Sequence, residues 1–598
     1  MKYRWFVSMA LLGTLSFRGL GASTDLPDTI RHYTSDRATV ARAYQLPWSQ
    51  IALERMDQLY RDWQVRLRQM DFEALDQPGR IDYLLLRNEL TGELDQQTLE
   101  RERLKEMDEL LSFRSVIQEL ETARWKMGPV DPQVAATKVA GIVERVKKLR
   151  ERVEKGKKAK DEKKSEKTNE VAKASSGNAT ETKLDETPLK VSPMLARRAA
   201  NAVNAVRGTL RTWYSFYDGY QPDFSWWLKK PYEEANTALE NYAKYLREEV
   251  AELKGKDEDP LLGDVMGREA LLRNLGVEMI AYTPEELIGI GEKEFAWCET
   301  EMKKAAKEMG LEDWKEALAK VKSDFVPPGQ QDELVAKCAH DAIDFVKSHE
   351  LVTVPSMCEE VWRLTMVSPE GQKTLPYAAY GGQAVMVAYA KDEMKQDDKL
   401  MAMRGNNRHF TRIVTAHELI PGHHLQHFNA DRHSQYRGLF STPFFTEGWS
   451  LYWELRLWDL NYAQTPEDRI GMLFWRMHRC ARIIVSLKFH LGQMQPKEMV
   501  NFLVERVGHE KFGATSEVRR FIEGNYSPLY QCGYMIGGLQ LRALRKELVD
   551  AGKMSDKQFN DTVLTYGSMP VELIRAGMEN VPLGRDAKAT WRFYSEVR

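Results

Sequence analysis

Apolar residues recur every three or four positions along most of this chain. The segments RMDQLYRDWQVRLRQM and RIDYLLLRNELTGELDQQTLERERLKEMDELLSF show the pattern early, and ARRAANAVNAVRGTLRTWYSFY repeats it further on. The period places the apolar side chains on one face of an α-helix. The last third, from TPFFTEGWSLYWELRLW to YMIGGLQLRALRKELVDAG, has the same period. The pattern therefore predicts a mainly α-helical protein.

Two local signals add detail to this helical pattern. Thr283 followed by Glu286 is a capping sequence that predicts the start of a helix. The segment QAVMVAYA (383–390) follows the pair Gly381-Gly382 and is the clearest strand candidate. We expect a small β-sheet beside the helix that contains TRIVTAHELI. The sequence shows no internal repeat and no glycine-rich phosphate loop.

Two segments break the helical pattern. The first, MKYRWFVSMALLGTLSFRGLGAS, has a basic start, an apolar run and small residues, which favours a signal peptide at 1–22 over an amphipathic first helix. No cysteine follows the apolar run, so a lipid anchor is not indicated. The second segment, 155–190, has almost no large apolar residue and predicts a disordered surface insertion. Its first dozen residues would alternatively extend a helix. We expect a periplasmic or secreted protein.

The overall composition narrows the possible partners. Lys and Arg number 86 against 88 Asp and Glu, and the net charge of -2 gives no electrostatic basis for a nucleic-acid partner. No later segment is apolar and long enough to span a bilayer. The five cysteines are widely spaced and form no C-x-x-C pair, so one disulfide is possible but not assignable. The oligomeric state is not indicated.

The strongest chemical signal is TAHELIPGHHLQHF, at 415–428. It begins like the zinc motif H-E-x-x-H, in which two histidines four residues apart point at one ion from one face of a helix. Here His417 is followed by Pro421 at the closing position, and histidines come only at His423 and His424. On a straight helix six residues turn the chain by about 240° and seven raise it by about 10 Å. Neither pair could then share an ion.

Pro421 and Gly422 make a straight helix impossible. Proline has no N–H to donate to the carbonyl of His417, and its ring crowds that carbonyl. Glycine adopts backbone angles that are closed to other residues. If two residues are looped out, His423 returns to the ligand position, and if three are looped out, His424 does. We interpret the motif as H-E-x-G-H with two additional residues, which makes His423 the ligand.

Carboxylates complete the candidate zinc site. The segment FFTEGWSLYWELR carries Glu447 and Glu454 seven residues apart on one predicted helix. We expect Glu447 to be the third ligand, and Glu454 to have a supporting or structural role. Glu418 would be the general base for a zinc-activated water. The alternative is that His417 and its neighbours are a surface patch or helix caps.

Three segments, TAHELIPGHHLQH, FTEGWSLYWE and SPLYQCGYMIGGLQLRALR, resemble a secreted bacterial family, the domain of unknown function numbered eight-eight-five, which is grouped with the gluzincin metallopeptidases. The likeness extends over most of the mature chain and is specific mainly from Tyr377 to Arg545. GHHLQH also resembles the GH-x-L sequence of thimet-oligopeptidase-like enzymes, which favours His423. The resemblance implies a helical, gluzincin-like metallopeptidase with a deep cleft. We expect the mature chain to consist of an N-terminal helical region, 23–260, which contains the insertion, and a catalytic metallopeptidase region, 261–598.

The resemblance also implies roles for individual residues. His417, Glu418, His423 and Glu447 match its strong positions. Tyr534 lies in a Y-x-x-G element and would donate to the oxyanion, although a tyrosine in an apolar helix is more often part of the core.

Other positions match less well. The segment RIIVSLKFH has Ser486 where the family usually has aspartate, so the roles of Arg482 and His490 stay open. Arg542 or Arg545 could reach a substrate carboxylate.

We therefore expect an exported zinc metallopeptidase that hydrolyses short or unfolded peptides, with QAVMVAYA pairing with the substrate backbone as an added strand. One alternative is a non-catalytic, zinc-containing peptide-binding protein. Another is a metal-dependent hydrolase of a non-peptide amide or ester. The sequence does not indicate the substrate sequence or whether cleavage is internal or terminal.

Overall fold

The computed structural model describes residues 25–165, 187–256, 259–524 and 526–596. Within these ranges the chain forms 22 α-helices and three short strands, which confirms the predicted mainly helical class with a small sheet. The first seven helices are α1 (Leu26–Ala43), α2 (Gln50–Arg68), α3 (Gln77–Met107), α4 (Arg114–Trp125), α5 (Pro132–Ser165), α6 (Pro193–Tyr217) and α7 (Pro222–Tyr245). The next six are α8 (Arg268–Val277), α9 (Pro284–Glu308), α10 (Trp314–Ser323), α11 (Gln331–Ser348), α12 (Ser356–Val361) and α13 (Gln396–Gly405).

The remaining helices follow the sheet and carry most of the candidate chemistry. They are α14 (Arg408–Glu418), α15 (His423–Ala430), α16 (Pro443–Asp459), α17 (Pro466–His490), α18 (Pro496–Phe502), α19 (Lys511–Ile522), α20 (Tyr530–Arg545), α21 (Asp556–Thr565) and α22 (Val571–Met578). Turns of π-helix extend three helices, at Leu246–Val250, Leu503–Val507 and Lys546–Asp550. Short 3-10 segments lie at Glu109–Leu111, Gly371–Lys373, Gln435–Phe440 and Phe593–Glu596. None of the described helices combines the length and apolar composition needed to cross a bilayer.

The predicted capping sequence begins α9. The Thr283 hydroxyl accepts from the N–H of Glu286 at 3.2 Å, and the Glu286 carboxylate accepts from the N–H of Thr283 at 2.8 Å. Each side chain thus satisfies a backbone donor that the first helical turn leaves without a partner. The predicted start of this helix is confirmed.

The buried apolar residues form two large cores. Residues between 107 and 246 form the smaller one, whereas residues from 26 to 90 join those from 271 to 593 in the larger one. Helix α3 connects the cores, since Leu84 and Leu90 belong to the larger core and Met107 to the smaller. The predicted boundary at 260 therefore does not coincide with the division between cores. Long-range packing of the first helices was not visible in local periodicity.

The ends of the predicted insertion at 155–190 are part of the helical fold. Helix α5 continues to Ser165, and the N–H of Leu189 donates to the carbonyl of Arg152 at 3.0 Å. The helical alternative therefore holds for the first residues of this segment. Its middle, 166–186, and the predicted signal peptide, 1–22, lie outside the described residues.

Three strands form a small mixed sheet next to α14. They are β1 (Arg363–Met366), β2 (Ala378–Gly381) and β3 (Ala384–Val387), in the order β1-β3-β2. Strand β3, predicted at 383–390, pairs parallel with β1 and antiparallel with β2. The expectation that this strand pairs with a substrate is wrong, because both of its edges are occupied. Among the described residues, β2 keeps one unpaired edge.

Two glycines bring α16 and α20 into backbone contact. A Cβ on Gly537 would lie 1.9 Å from the carbonyl oxygen of Phe444, and a Cβ on Gly448 would lie 2.7 Å from the Cα of Gly537. No side chain larger than hydrogen fits at either position without moving a helix. This close approach places Glu447, on α16, beside the tyrosines at the start of α20.

Candidate metal centre

The motif at 415–428 contains a complete break between two helices. Helix α14 ends at Glu418 and α15 begins at His423, so the predicted bulge inside one helix is instead a tight connection between two. The N–H of Gly422 donates to the carbonyl of Ala416 at 3.0 Å. A Cβ on Gly422 would lie 1.8 Å from the carbonyl oxygen of His417, so only glycine fits this turn.

Helix α16 holds both sides of this turn. The indole N–H of Trp449 donates to the carbonyl of Pro421 at 2.9 Å, and the hydroxyl of Ser450 donates to the carbonyl of His417 at 2.9 Å. These bonds satisfy carbonyls that the broken helix leaves without a partner. They also fix α16, and Glu447 with it, relative to the two histidine-bearing helices.

His417, His423 and Glu447 converge at one buried point. Glu447 Oε2 lies 3.5 Å from His417 Nε2 and 3.2 Å from His423 Nε2. One ligand atom from each residue lies within 4.8 Å of the others. Glu447 Oε2 is buried and has no hydrogen-bond donor. Two imidazoles and a carboxylate around such an atom fit the ligand set of a zinc site with an open position.

His424, the competing candidate, faces away from this point. Its Nε2 lies 2.9 Å from the carbonyl oxygen of Cys358, and its Nδ1 lies 3.2 Å from the hydroxyl of Tyr380. Both ring nitrogens are therefore engaged, and His424 links α12 to strand β2. The geometry favours the interpretation with two looped-out residues over the one with three.

Glu454 hydrogen-bonds to Nδ1 of His417, the ring nitrogen that does not face Glu447. Its Oε1 accepts from His417 Nδ1 at 2.7 Å and from Arg479 Nη2 at 3.2 Å. A carboxylate on Nδ1 fixes the orientation and tautomer of a metal-binding imidazole, so that Nε2 carries the lone pair. This is the supporting role that the sequence predicted for Glu454.

Replacing Glu454 with glutamine should weaken zinc binding by about 10- to 100-fold, because the substituted amide oxygen is a weaker acceptor for His417 Nδ1. Competition with a chromophoric zinc chelator measures the affinity. Glu121→Gln removes a comparably buried carboxylate that pairs with Arg124 in the smaller core, and should leave zinc affinity unchanged. Equal affinities for the two variants would contradict this role.

Charge interactions without metal keep His417 protonated. Burial lowers the pKa of His417, but the nearby carboxylates of Glu447 and Glu454 outweigh it and raise the pKa to about 9. Burial raises the pKa of Glu447, but His423 and His417 hold it well below its usual range. In the metal-free protein at neutral pH, His417 therefore carries a proton that a bound cation would displace.

Zinc should therefore displace about one proton at pH 7, because His417 must be neutral to ligate. Since its pKa in the metal-free fold is about 9, zinc affinity should fall about tenfold per pH unit below pH 9 and level off above it. Calorimetric titration at pH 7 in two buffers with different ionisation enthalpies counts the protons. Affinity that is constant between pH 6 and 8 would contradict the assignment.

A cavity of about 340 Å³ opens onto the cluster. Strand β2, α14, α17, α19 and α20 contribute to its lining, which includes His417, His423 and Glu447. Glu418 also lines the cavity, and its carboxylate makes no hydrogen bond or ion pair within the described part of the chain. A carboxylate without a partner on this wall is available to accept a proton from a molecule in the cavity.

Tyr534 lies in the same cavity, next to a second tyrosine. Its ring is 6.1 Å from that of His417, centroid to centroid, and its hydroxyl accepts from Arg520 Nη2 at 3.2 Å. Burial raises the pKa of Tyr534, which keeps its proton available. The Tyr530 hydroxyl donates to Glu447 Oε1. Tyr530, which lies one helical turn before Tyr534, is a site residue that the sequence analysis did not identify.

Arg542 and Arg545, the arginines considered for binding a substrate carboxylate, lie outside the cavity. Arg545 pairs with Asp550 and Asp556, and Arg542 pairs with Asp459; neither lines the cavity. They lie two to three turns beyond Tyr534, at the far end of α20. His490 is buried and likewise does not line the cavity.

Three arginines do line the cavity: Arg482, whose role the sequence left open, and Arg479 and Arg520, which it did not single out. A signal for Arg479 existed in the sequence. Arg476, Arg479 and Arg482 follow one another at intervals of three residues in a largely apolar part of α17.

The chain matches a protein-family model and is similar in fold to a solved structure. A family model described as "Bacterial protein of unknown function (DUF885)" matches residues 39–578. No curated protein sequence matches the chain. A solved structure described as a "putative lipoprotein of unknown function" from Shewanella oneidensis is 16% identical, with a TM-score of 0.63 over 93% of this chain and 100% of that chain. Another, a "putative lipoprotein" from Colwellia psychrerythraea, is 18% identical, with a TM-score of 0.48 over 65% and 70% of the respective chains.

Proposed function

The chain belongs to the DUF885 family of bacterial proteins, and since that description names no activity, we propose from the site itself that the protein is an exported zinc-dependent peptidase. One observation carries the proposal. Glu447 Oε2 is buried without a donor between the Nε2 atoms of two histidines, and an unpartnered carboxylate, Glu418, lines the adjoining cavity. A ligand set next to a free base is the arrangement that metal-assisted hydrolysis uses.

In the proposed reaction, three residues bind zinc and Glu418, in the cavity wall, transfers the proton. Zinc held by His417, His423 and Glu447 would polarise the scissile carbonyl and lower the pKa of a water molecule. Glu418 accepts a proton from that water as its oxygen attacks the carbonyl carbon. Glu418 then gives the proton to the amide nitrogen as the C–N bond breaks. The products are a carboxylic acid and an amine.

Tyr534 is suited to stabilise the developing oxyanion. Its hydroxyl accepts from Arg520, which leaves its own proton free to donate into the cavity. A donor aimed at charge that develops only in the transition state raises kcat without tightening substrate binding.

Tyr534→Phe should therefore lower kcat by about 10²–10³ and change KM little. Steady-state kinetics on a quenched fluorescent peptide separates the two constants. Tyr452→Phe, a buried tyrosine on α16 that does not line the cavity, is the matched control. An unchanged kcat for Tyr534→Phe would remove Tyr534 from the mechanism.

The cavity favours short or unfolded peptide substrates. A space of about 340 Å³ within a helical body accommodates only a few residues, and a folded domain could not present a peptide bond to it. Ala378, Ala379 and Tyr380 of β2 line the cavity, and the free edge of this strand would hydrogen-bond to an extended backbone. The proposed substrate strand therefore pairs with β2, in place of β3.

Two observations support export. The first residues have the layout of a signal peptide, and the Shewanella protein that shares the fold is described as a "putative lipoprotein". Digestion of a peptide mixture by the zinc-loaded protein tests the proposed activity, since hydrolysis that requires both zinc and Glu418 is expected from no other arrangement of the site.

A further inference from the structure

Three arginines contact the ring or the hydroxyl of Tyr534 in the cavity. The guanidinium carbons of Arg482 and Arg479 lie 4.3 and 4.7 Å from the centre of its ring, and Arg520 donates to its hydroxyl. Arg479 and Arg482 come from α17 and Arg520 from α19. The proposed reaction assigns no task to these side chains beyond the single bond from Arg520.

Each of these arginines keeps an unused donor. Arg479 Nε, Arg482 Nη1 and Arg520 Nε are buried and have no hydrogen-bond partner. The three side chains are only 6%, 3% and 11% exposed. Leaving donors of a buried charged group unsatisfied is costly, and because all three guanidinium groups also line the cavity, a ligand there that accepts hydrogen bonds from them would offset this cost.

The three arginines have few ion-pair partners of their own. Among the lining residues, Glu517 pairs with Arg482 at 2.7 Å and with Arg520 at 3.8 Å. Arg479 has only Glu454, which it shares with His417. The other carboxylates that line the cavity, Glu418 and Glu447, belong to the candidate zinc site, where a bound zinc ion would offset their charge.

The wall is also held rigidly. Glu517 Oε2 lies 3.1 Å from His478 Nε2, which accepts from Arg482 Nε at 2.9 Å, and a buried chain of polar contacts continues from His478 through His509 to the hydroxyl of Tyr377. Glu517 in turn fixes Arg482. A preorganised group of guanidinium donors binds a carboxylate well, because little rotamer freedom is lost on binding.

We propose that Arg479, Arg482 and Arg520 bind the free α-carboxylate of a peptide, so that the protein removes residues from C-terminal ends. This inference rests on the proposed peptidase function. The ring of Tyr534 separates the arginines from His417: its centre lies 4.3 Å from the guanidinium carbon of Arg482 and 6.1 Å from the centre of the His417 ring. An extended peptide chain advances about 3.4 Å per residue. A carboxylate on the arginines would thus place one of the last few peptide bonds beside Glu418.

Binding to a variant that cannot turn over tests the subsite. We choose zinc-loaded Glu418→Gln protein and a panel of N-acetylated tetrapeptides that differ in their last residue, each as the free acid and as the C-terminal amide. Calorimetry should show the acid binding about 10- to 100-fold more tightly, as expected for hydrogen bonds to a charged group. Equal binding of acid and amide, or no binding of either across the panel, would overturn the proposal.

Arginine variants locate the carboxylate and exclude direct binding to the metal. Arg520→Gln and Arg479→Gln, each combined with Glu418→Gln, should abolish the preference for the acid, and Arg520→Lys should retain part of it. Arg542→Gln removes an arginine that pairs with Asp459 outside the cavity and should leave the preference intact. A preference that survives both cavity variants would show that the carboxylate binds elsewhere, and would refute the assignment.

The panel also distinguishes a C-terminal carboxylate from an acidic side chain. An amide that ends in glutamate should bind no better than one that ends in glutamine. Tight binding of the glutamate amide would mean that the arginines recognise side chains, and would overturn the C-terminal assignment. If wild-type protein cleaves none of these peptides although the acid preference is present, the peptidase proposal fails while the anion subsite stands.

Discussion

Glu418→Gln is expected to abolish turnover while leaving zinc bound. Glu418 lines the cavity without a partner and lies next in sequence to His417, but it is not one of the three converging groups. Glutamine keeps the shape of the side chain and loses the ability to accept a proton at neutral pH. The rate should fall by at least about 10²–10⁴, the usual contribution of a general base.

Zinc content and cleavage rate must be measured on the same preparation. Metal analysis should give about one zinc per chain for both wild type and Glu418→Gln, because the ligand set is unchanged. Activity within about tenfold of wild type in the zinc-loaded variant would remove Glu418 as the base. Loss of zinc together with activity would show that Glu418 is part of the ligand set.

The second large effect concerns the two adjacent histidines. His423→Ala should lose zinc, whereas His424→Ala should keep most of it. His423 Nε2 faces Glu447 at 3.2 Å, but both nitrogens of His424 are engaged by Cys358 and Tyr380. Loss of a ligand should cost more than the roughly 10- to 100-fold expected for a supporting residue.

His423→Ala and His424→Ala are matched controls for each other, because both histidines are buried and each substitution removes the same atoms. Thermal unfolding with a chelator present should show a cooperative transition for both variants, with the lower Tm for His424→Ala because it loses the hydrogen bonds to Cys358 and Tyr380, and this separates metal loss from misfolding. Zinc retained by His423→Ala and lost by His424→Ala would mean that three residues are looped out of the motif.

The helical fold and the converging residues were accessible from sequence for a physical reason. Helical periodicity and capping depend on neighbours within one or two turns, so the class of fold and the start of α9 could be predicted. The pairing of His417 with His423 followed from a local fact as well, namely that Pro421 and Gly422 cannot continue a helix, whereas Glu447 was chosen as a carboxylate on a later predicted helix.

Features that depend on contacts between distant segments could not be predicted in this way. Strand β3 was predicted, but its central place in the sheet depends on pairing with two other short strands. The packing of α1–α3 into the larger core depends on helices some two hundred residues away or more. Local periodicity shows which face of an element is buried, but not which element covers it.

The arginines show the same limit within the site. Arg542 and Arg545 were considered able to reach a substrate carboxylate, but they lie two to three helical turns beyond Tyr534, and the helical rise carries them away from the cavity. Arg479, Arg482 and Arg520 reach Tyr534 from other helices. The spacing of arginines in α17 indicated a charged face, but only the packing of α17 and α19 against α20 shows that this face meets Tyr534.

The central claim is that zinc at His417, His423 and Glu447 serves peptide hydrolysis. Its most direct test is mass spectrometry of a mixed peptide library after incubation with the metal-stripped protein, with and without one equivalent of zinc. We expect new peptide termini only after zinc is added, and none with zinc-loaded Glu418→Gln. An intact library with zinc-loaded wild-type protein would contradict the claim, and would favour a zinc-containing peptide-binding protein or a hydrolase of another amide or ester.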